Sequence, residues 1–373
     1  MRLSPVLEGL QTYPFVRLAE TKARLVAEGV ELVDLGAGEP REETPAFIRE
    51  ALAAALDPLS TYPAAEGLPE LREAVSAWLQ RRFGARVDAA TQVVPTLGSK
   101  EAIFHLAHVL GPGAVAVTTP GYPVPERGAR FAGREVVELP LLAENAFLPD
   151  LDALPADGLA LLWLNYPNNP TAAVAPPAFY ERAAALARER GFVLASDEAY
   201  SELYFGDDAP GSAIAVGDLT NVLVFNTLSK RSSMPGYRSG FVAGDPEVIA
   251  ALKRYRPNVG VAPQTFVQRA AAAAWGDEEH VDAVRATYRA KRDVLLPALE
   301  AAGLRNAGGD ATFFLWLAAP AGAAEALLRE GIVVAPGTFF GAAGEGFVRA
   351  ALVPTLQECE RAAERLRAMA PLA

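Results

Sequence analysis

Short apolar runs separated by polar stretches recur through the middle of the chain, and each run is typical of a buried strand in a parallel sheet. The predicted strands are Ala114–Thr118, Val136–Leu139, Leu159–Leu164, Phe192–Ala195, Val222–Phe225 and Phe241–Ala243. Between them apolar residues recur at helical spacing, as Leu71, Val75 and Trp78 do. The alternation predicts an α/β fold, in which a large domain has a mainly parallel sheet covered by helices.

The two ends of the chain show other patterns. Near the start we predict a helix over Val16–Glu28 and a strand over Glu31–Leu35, and after residue 243 long helices follow. Strands and helices then alternate again over Phe313–Leu317, Ala321–Glu330, Ile332–Ala335, Phe347–Leu352 and Pro354–Ala370. We therefore expect an N-terminal arm and first strand over residues 1–45, packing with a small α+β domain over 286–373. Residues 46–285 would form the large domain.

Composition excludes several classes of protein. The chain has 373 residues, 51% of them hydrophobic, and 45 acidic against 34 basic residues give a net charge of -11. No basic block could neutralise nucleic-acid phosphates, and no run of about 18 apolar residues predicts a membrane span. Cys359 is the only cysteine and there are three histidines, so neither an intramolecular disulfide nor a metal site is expected. We expect a cytoplasmic protein.

Polar side chains gather at the carboxyl ends of the predicted strands, where ligands of such sheets bind. They are Tyr122, Asn169, Asp197, Tyr200, Thr227, Ser229 and Lys230. The segment that holds Thr227, Ser229 and Lys230 ends with Arg238, and this combination suits an aldehyde that carries a phosphate. The amine would form a Schiff base, while the hydroxyls and the guanidinium would hold the dianion. A surface loop with a solvated lysine is the alternative.

Three further signals are weaker alone. Gly38 lies in Gly36-Ala37-Gly38-Glu39-Pro40, which lets backbone approach a ligand but is also an ordinary turn. Ser99 and Lys100 open a predicted helix over Glu101–Leu110, so they either bind an anion or simply cap it. Arg349 interrupts an apolar strand, as a cation facing a cavity or a structural ion pair would.

The motifs, taken together, resemble those of the fold-type I, class I and II aminotransferases, which use pyridoxal phosphate. In chain order they are LGAGEP, STYPAAEGLPELREAV, TLGSKEA, TPGYP, YPNNPT, SDEAY, NTLSKRSSMPGYRSGF and GTFFGAAGEGFVRAAL. Within that family, SKRSSMPGYRSGF and Tyr13-Pro14-Phe15 are most similar to N-succinyldiaminopimelate aminotransferases. One departure is Ala172, where the family usually has glycine, and we expect alanine to be tolerated if its φ is negative.

The resemblance implies a role for each residue. Lys230 would bind the cofactor covalently and move the substrate proton, Asp197 would pair with the pyridine nitrogen, and Tyr200 and Asn169 would hydrogen-bond its phenolic oxygen. Tyr122 would stack on the ring. The phosphate would be held by Ser99, Lys100 (through its backbone N–H), Thr227, Ser229 and Arg238, with Tyr62 reaching it from the second subunit of a homodimer. Arg349, with Gly38 and Asn169, would bind the substrate.

The expected activity is transfer of an amino group, with glutamate as donor and N-succinyl-2-amino-6-ketopimelate as acceptor in lysine biosynthesis. Another aminotransferase of the family (aspartate, aromatic or LL-diaminopimelate type) and a C–S β-lyase on the same scaffold are alternatives. A transcription regulator is disfavoured because only about 30 residues precede the first sheet motif, and a dinucleotide-binding oxidoreductase because no G-x-G-x-x-G follows the first strand. Arg17, Lys253 and Arg256 are candidate cations for a distal substrate carboxylate.

Overall fold

A computed structural model describes residues 4–9, 14–59 and 61–372, without the side chains of residues 14–18. Tyr13, and with it part of the Tyr13-Pro14-Phe15 motif, lies outside the described residues. Within this part of the chain, strands β1 to β13 are Val33–Asp34, Val93–Thr96, Ala114–Thr119, Val136–Pro140, Leu159–Asn165, Val193–Asp197, Val222–Thr227, Gly240–Gly244, Arg305–Asn306, Phe314–Ala318, Ile332–Val333, Ala335–Pro336 and Phe347–Ala351. The prediction of an α/β fold with a mainly parallel sheet is confirmed.

The large sheet has the strand order β2-β8-β7-β6-β5-β3-β4. Strands β3 to β7 run parallel to their neighbours among themselves, whereas β8 is antiparallel to both β7 and β2. In the register of this sheet Asn165 pairs with Asp197, and Thr227 pairs with Gly240. The ends of β5, β6 and β7 therefore meet at one edge of the sheet.

Both faces of the large sheet are buried. Along β7, Val222 and Val224 contribute to one apolar cluster, while Leu223 and Phe225 contribute to the cluster on the other face. The alternation follows from the period of two along a strand, and it explains why the strands read as continuous apolar runs.

The helices cover these faces. In chain order α1 to α13 are Pro5–Gly9, Pro14–Ala27, Ala46–Ala54, Pro69–Phe83, Ser99–Val109, Val124–Phe131, Pro177–Arg190, Leu228–Arg231, Pro246–Tyr255, Thr265–Gly276, Glu279–Ala301, Ala323–Arg329 and Leu356–Ala368. No helix in the described part of the chain is long and apolar enough to span a membrane.

A second body of structure joins the two ends of the chain. Strand β1 pairs in parallel with β11, and β12, β13, β10 and β9 form a separate antiparallel sheet. The core there includes Val33 and Leu35 together with apolar residues of β10, β13, α11 and α13. The boundaries drawn at residues 45 and 285 stay a prediction.

Several local predictions differ from the structure. Ile332–Ala335 is not one strand, because β11 and β12 are separated at Val334 and belong to different sheets. The pattern of apolar residues does not predict strand β2 or helix α6, because each is short and contains a proline. The loop predicted around Lys230 begins with a helical turn, α8, in which the Thr227 side chain accepts from the Ser229 backbone N–H. Ala172 has φ +58°, so the condition of a negative φ is not met.

Gly240 in β8 lies where three elements approach each other closely. A Cβ at this position would be 2.5 Å from the Asn226 carbonyl oxygen and 2.9 Å from the Ser99 backbone nitrogen. Both neighbours are backbone atoms in β7 and α5, so neither can move without shifting an element. The absence of a side chain at Gly240 thus sets the distance between the start of α5 and the strand that leads to Lys230.

We expect Gly240→Ala to lower the free energy of unfolding by about 1–3 kcal/mol, because the added methyl group forces backbone apart. Urea unfolding measures this change. The matched control is Gly236→Ala in the same segment, where a Cβ would meet nothing within 4 Å. Equal stability of the two variants would contradict the packing described for Gly240.

Candidate active site

The polar strand ends and the second body of structure enclose one cavity of about 480 Å³. Every residue predicted for the site except Tyr62 lines it: Gly38, Ser99, Lys100, Tyr122, Asn169, Asp197, Tyr200, Thr227, Ser229, Lys230, Arg238 and Arg349. Tyr62 is 103% exposed in this single chain and does not line the cavity.

Lys230 projects from α8 into the cavity, where its Nζ donates to the Gly38 carbonyl oxygen at 3.1 Å. Burial lowers the pKa of this amine to about 8, and the nearby Arg349 and Arg238 charges contribute to the shift, whereas Glu39 and Asp197 oppose it. The neutral amine, which is the form that attacks a carbonyl and accepts a proton, is therefore far more populated near neutral pH than in an ordinary lysine.

Asp197 ends β6 and is buried, with one oxygen accepting from the Ala199 backbone N–H at 3.3 Å. Burial raises the pKa of its carboxyl to about 7, while the Ala199 bond and the Lys230 charge oppose the shift. Burial also raises the pKa of the neighbouring Tyr200 phenol, so this hydroxyl stays protonated. A cationic ligand group beside Asp197 would favour its ionised form.

One end of the cavity is arranged for a phosphate. Thr227 Oγ1 lies 2.9 Å from Ser229 Oγ, and the Arg238 guanidinium donates to the Leu97 carbonyl oxygen at 3.2 Å. The N-terminus of α5 begins at Ser99 and directs its free N–H groups toward the same place. Gly98 makes this approach possible, since it has φ +67° and a Cβ there would be 2.5 Å from the Arg238 side chain.

At the opposite end Arg349 of β13 is 3% exposed and held from several sides. Its two terminal nitrogens donate to Asn169 Oδ1 and to the Gly36 carbonyl oxygen, each at 2.9 Å. Its Cζ atom lies 4.0 Å from the Phe314 ring centroid and 4.5 Å from that of Phe340. A planar cation fixed in this way at a cavity wall suits a carboxylate.

Sequence reasoning missed other residues of the cavity. Asn165 donates to the Asp197 carbonyl oxygen at 2.8 Å and accepts from the Asn169 backbone N–H at 2.9 Å. It ends β5, so the rule used for the other strand ends would have found it. No sequence pattern could have assigned Phe314 and Phe340 to the site, because an apolar run does not show that its aromatic rings flank an arginine.

Of the cations considered for a distal carboxylate, two lie elsewhere. Arg256 is fully buried and donates to Glu101 at 2.9 Å, and Lys253 donates to the Ala90 carbonyl oxygen at 2.5 Å. Neither lines the cavity of this chain. The side chain of Arg17 lies outside the described part of the structure.

The cavity fits pyridoxal phosphate by its set of chemical groups. It offers an amine for an aldehyde, a carboxyl for a ring nitrogen, an aromatic ring, and hydroxyls, N–H groups and a guanidinium for a dianion. In the described residues no group of three His, Cys, Asp or Glu side chains is arranged to hold a metal ion.

Comparisons with known proteins agree with this set of chemical groups in the cavity. The family model of class I and II aminotransferases matches residues 30–366. The LL-diaminopimelate aminotransferase of Nitratidesulfovibrio vulgaris strain DP4 is 38% identical over 98% of both chains, and that of Aquifex aeolicus is 39% identical over 97% of both.

A solved structure of Thermus thermophilus aspartate aminotransferase with maleate has TM-score 0.89 and 34% identity, covering 98% of this chain and 99% of that one. A probable N-succinyldiaminopimelate aminotransferase from the same species has TM-score 0.87 and 32% identity, covering 95% of this chain and 99% of that one.

Removing the Arg349 charge should raise the pKa of Lys230, because that cation disfavours the protonated amine. We expect Arg349→Met to move the pH midpoint of Lys230 modification by an amine-directed reagent upward in cofactor-free protein. The opposing control is Glu39→Gln, which should move the midpoint downward, since Glu39 favours the protonated amine. Shifts of the same sign in both variants would refute the charge arrangement described for the cavity.

Proposed function

The chain belongs to the class I and II aminotransferases, a family that depends on pyridoxal phosphate, and we propose that it transfers an amino group between LL-diaminopimelate and 2-oxoglutarate. The proposal is carried by the meeting of Lys230, Asp197 and Arg349 in one cavity. The substrate is supported by relatives 36–39% identical over nearly their whole length, which bear the name LL-diaminopimelate aminotransferase. The predicted N-succinyl substrate has weaker support, from a structure 32% identical, and is the second candidate.

When bound, pyridoxal phosphate supplies an aldehyde that accepts the amino group and a ring that withdraws electrons from the substrate α-carbon. Lys230 would bind that aldehyde and then, as a neutral amine, move the proton from the substrate α-carbon to the cofactor carbon that carried the aldehyde. Its lowered pKa serves this role, because an ammonium group has no lone pair to receive a proton. Lys230 is placed for this by α8, which the Thr227 side chain caps.

The remaining residues would orient the reactants. Asp197 would hold a proton on the ring nitrogen, and Asn169 and Tyr200 would donate to the ring oxygen beside the aldehyde. Tyr122 would stack on the ring. The phosphate would be bound by the group described above: Ser99, Lys100 through its N–H, Thr227, Ser229 and Arg238.

Arg349 would bind the α-carboxylate of the substrate as a fork of two hydrogen bonds, with Gly38 allowing close approach. A Cβ at Gly38 would lie 2.8 Å from the Phe314 ring, so a larger residue would displace one of the rings that flank Arg349. The position of the carboxylate fixes which bond of the α-carbon faces Lys230, and this geometry favours proton transfer over cleavage of other bonds.

A homodimer and a cytoplasmic location belong to the same proposal. Tyr62 is fully exposed and lies near two other exposed apolar residues in the sequence, Leu56 and Leu59. We propose that this segment packs on a second copy and that Tyr62 completes the phosphate end of its cavity.

LL-diaminopimelate has a second carboxylate beyond the reacting centre, and Lys100 is suited to it. The residue lines the cavity, is exposed, and forms no ion pair with any residue that the structure describes. Its ammonium group is therefore available to a distal anion, in addition to the backbone N–H proposed for the phosphate.

The first test follows the absorption of the protein with bound pyridoxal phosphate when an amino acid is added. We expect LL-diaminopimelate and glutamate to convert the cofactor from its aldehyde to its amine form, because each has an α-carboxylate for Arg349. The N-succinyl derivative should react with a kcat/KM roughly 10²-fold lower, since the site, in the part of the chain that the structure describes, has no group suited to the succinylated amine at the far end of that substrate. The reverse order would favour the second candidate, and pyruvate release from cystathionine would favour a β-lyase.

The control for this test is Lys230→Ala, which should lower the rate by about 10²–10⁴-fold while the protein still binds the cofactor. Lys253→Ala, remote from the cavity, should react as the unmodified chain does. Full activity of Lys230→Ala would remove the lysine from the proposed mechanism.

A separate prediction concerns Lys100. We expect Lys100→Gln to raise KM for LL-diaminopimelate about tenfold, equivalent to ~1.4 kcal/mol, with little change in kcat. Norleucine, which has no distal charge, should react equally with both proteins. An equal rise of KM for norleucine would show that the substitution disturbs the cavity generally and that Lys100 does not bind a distal carboxylate.

A further inference from the structure

Glu198 is a buried acid beside Asp197 that the proposed reaction does not use. Asp197 lines the cavity, whereas the Glu198 side chain lies toward the opposite face of the sheet. There its Oε1 accepts from Ser196 Oγ at 2.8 Å and from the Ala213 backbone N–H at 2.9 Å. The side chain thus fastens the end of β6 to the segment that follows it.

The backbone of Glu198 is fixed as well. Its N–H donates to the Phe225 carbonyl oxygen at 2.8 Å, and its carbonyl oxygen accepts from Asn226 Nδ2 at 2.9 Å. Both partners belong to β7, which continues into α8 and Lys230. Glu198 is therefore the junction between the strand that ends in Asp197 and the strand that leads to the lysine.

The surroundings of the Glu198 carboxyl hold no compensating cation. The side chain is 0% exposed, and among the residues that the structure describes it forms no ion pair; only neutral groups, the Ser212 hydroxyl among them, lie close enough to donate to it. The groups that face it are the Asp197 carboxyl, the Tyr180 hydroxyl of α7 and the hydroxyls of Ser196 and Ser212.

This setting favours a proton on Glu198. Burial raises the pKa of its carboxyl to about 7, the nearby Ser212 and Ser196 hydroxyls and the Ala213 N–H oppose the shift, and the Asp197 charge contributes to it. An ionised carboxylate that is fully buried with only neutral donors and no cation beside it is strongly disfavoured. A ligand cation that fixes Asp197 as an anion disfavours a second negative charge next to it even more.

Glu202, four residues later, shows the opposite arrangement. It is 3% exposed, but the Arg82 Nε donates to it at 3.0 Å and Arg285 lies 3.7 Å away. Two cations therefore face this carboxylate. The same short segment therefore carries two buried glutamates, and only one of them has partners of opposite charge among the residues that the structure describes.

We propose that Glu198 is a neutral carboxylic acid, and that it is a positioning residue which holds Asp197 and Lys230 in register without placing a second negative charge beside Asp197. The positioning role rests on the function proposed for Asp197 and Lys230. The charge state does not, and it can be measured in the cofactor-free chain.

The matched pair Glu198→Gln and Glu202→Gln tests the charge state by denaturant unfolding of cofactor-free protein. At pH about 6 we expect Glu198→Gln to unfold at the same urea concentration as the unmodified chain or at a higher one, because glutamine is neutral without having to take up a proton on folding. Glu202→Gln should unfold at a clearly lower concentration, since it removes the buried carboxylate that faces both Arg82 and Arg285. Equal destabilisation of the two variants would overturn the proposal.

The pH dependence has a definite sign. The pKa of Glu198 is raised in the folded chain, so its contribution to stability is present at low pH and is lost as pH rises through about 7. The unmodified chain should therefore lose stability relative to Glu198→Gln as pH rises from about 4 to about 8, across the interval between the ordinary pKa of 4.5 and the folded pKa of about 7, with no further change above it. A constant difference would show that Glu198 does not change charge.

An infrared difference spectrum between the unmodified chain and Glu198→Gln gives an independent measurement of the same group. It should contain the carbonyl stretch of a protonated carboxylic acid at pH about 6, which an ionised carboxylate lacks. Carboxylate bands alone would overturn the proposal.

The positioning role is tested by cofactor binding. Glu198→Gln should bind pyridoxal phosphate within about twofold of the unmodified chain, and Glu198→Ala about tenfold or more weakly, because alanine loses the bonds to Ser196 and Ala213. Alanine and glutamine variants of equal affinity would overturn this role. Failure of the proposed function shows differently, as an unmodified chain that never converts the cofactor with any amino acid.

Discussion

Burial of charge at one edge of a sheet is the constraint on which the site depends. Asp197 and Lys230 follow from adjacent strands and lie where water is scarce, so the protein by itself disfavours the ionised form of each. A ligand with a cationic ring nitrogen, a dianionic phosphate and a carboxylate supplies opposite charges. The side chains that are unfavourable to bury as ions are thus the ones that bind the ligand. Ligand binding should therefore stabilise the folded chain, because the ligand places opposite charges beside them.

Much of the site could be predicted from the sequence, because the carboxyl ends of parallel strands meet at one edge whatever the details of packing. Asp197, Lys230 and Asn169 lie together for that reason. The motif order located Arg349, which comes from another sheet and had no local signal beyond a charge in an apolar strand. Residues whose role arises from contact across the two sheets, such as Phe314 and Phe340, could not be predicted this way.

The local predictions that were wrong have physical reasons. A run such as Ile332–Ala335 shows that residues are apolar but not which sheet each half joins, since register is set by partners far away in the chain. The positive φ of Ala172 is forced by the surrounding turn, in which its N–H donates to the Asn168 carbonyl oxygen at 2.9 Å. Alanine is found there although glycine would adopt this conformation with less strain.

The pairing of β1 with β11 has a consequence for how the protein is made. Gly36 and Arg349 are 313 residues apart, and the N-terminal segment that carries Gly38 has its strand partner at residues 332–333. During synthesis on the ribosome, this wall of the cavity has nothing to pair with until nearly the whole polypeptide has emerged. The large sheet can form earlier from strands that are close in the chain. The substrate end of the cavity is therefore assembled last, and a chain truncated before β11 would lack it even if the cofactor end had already folded.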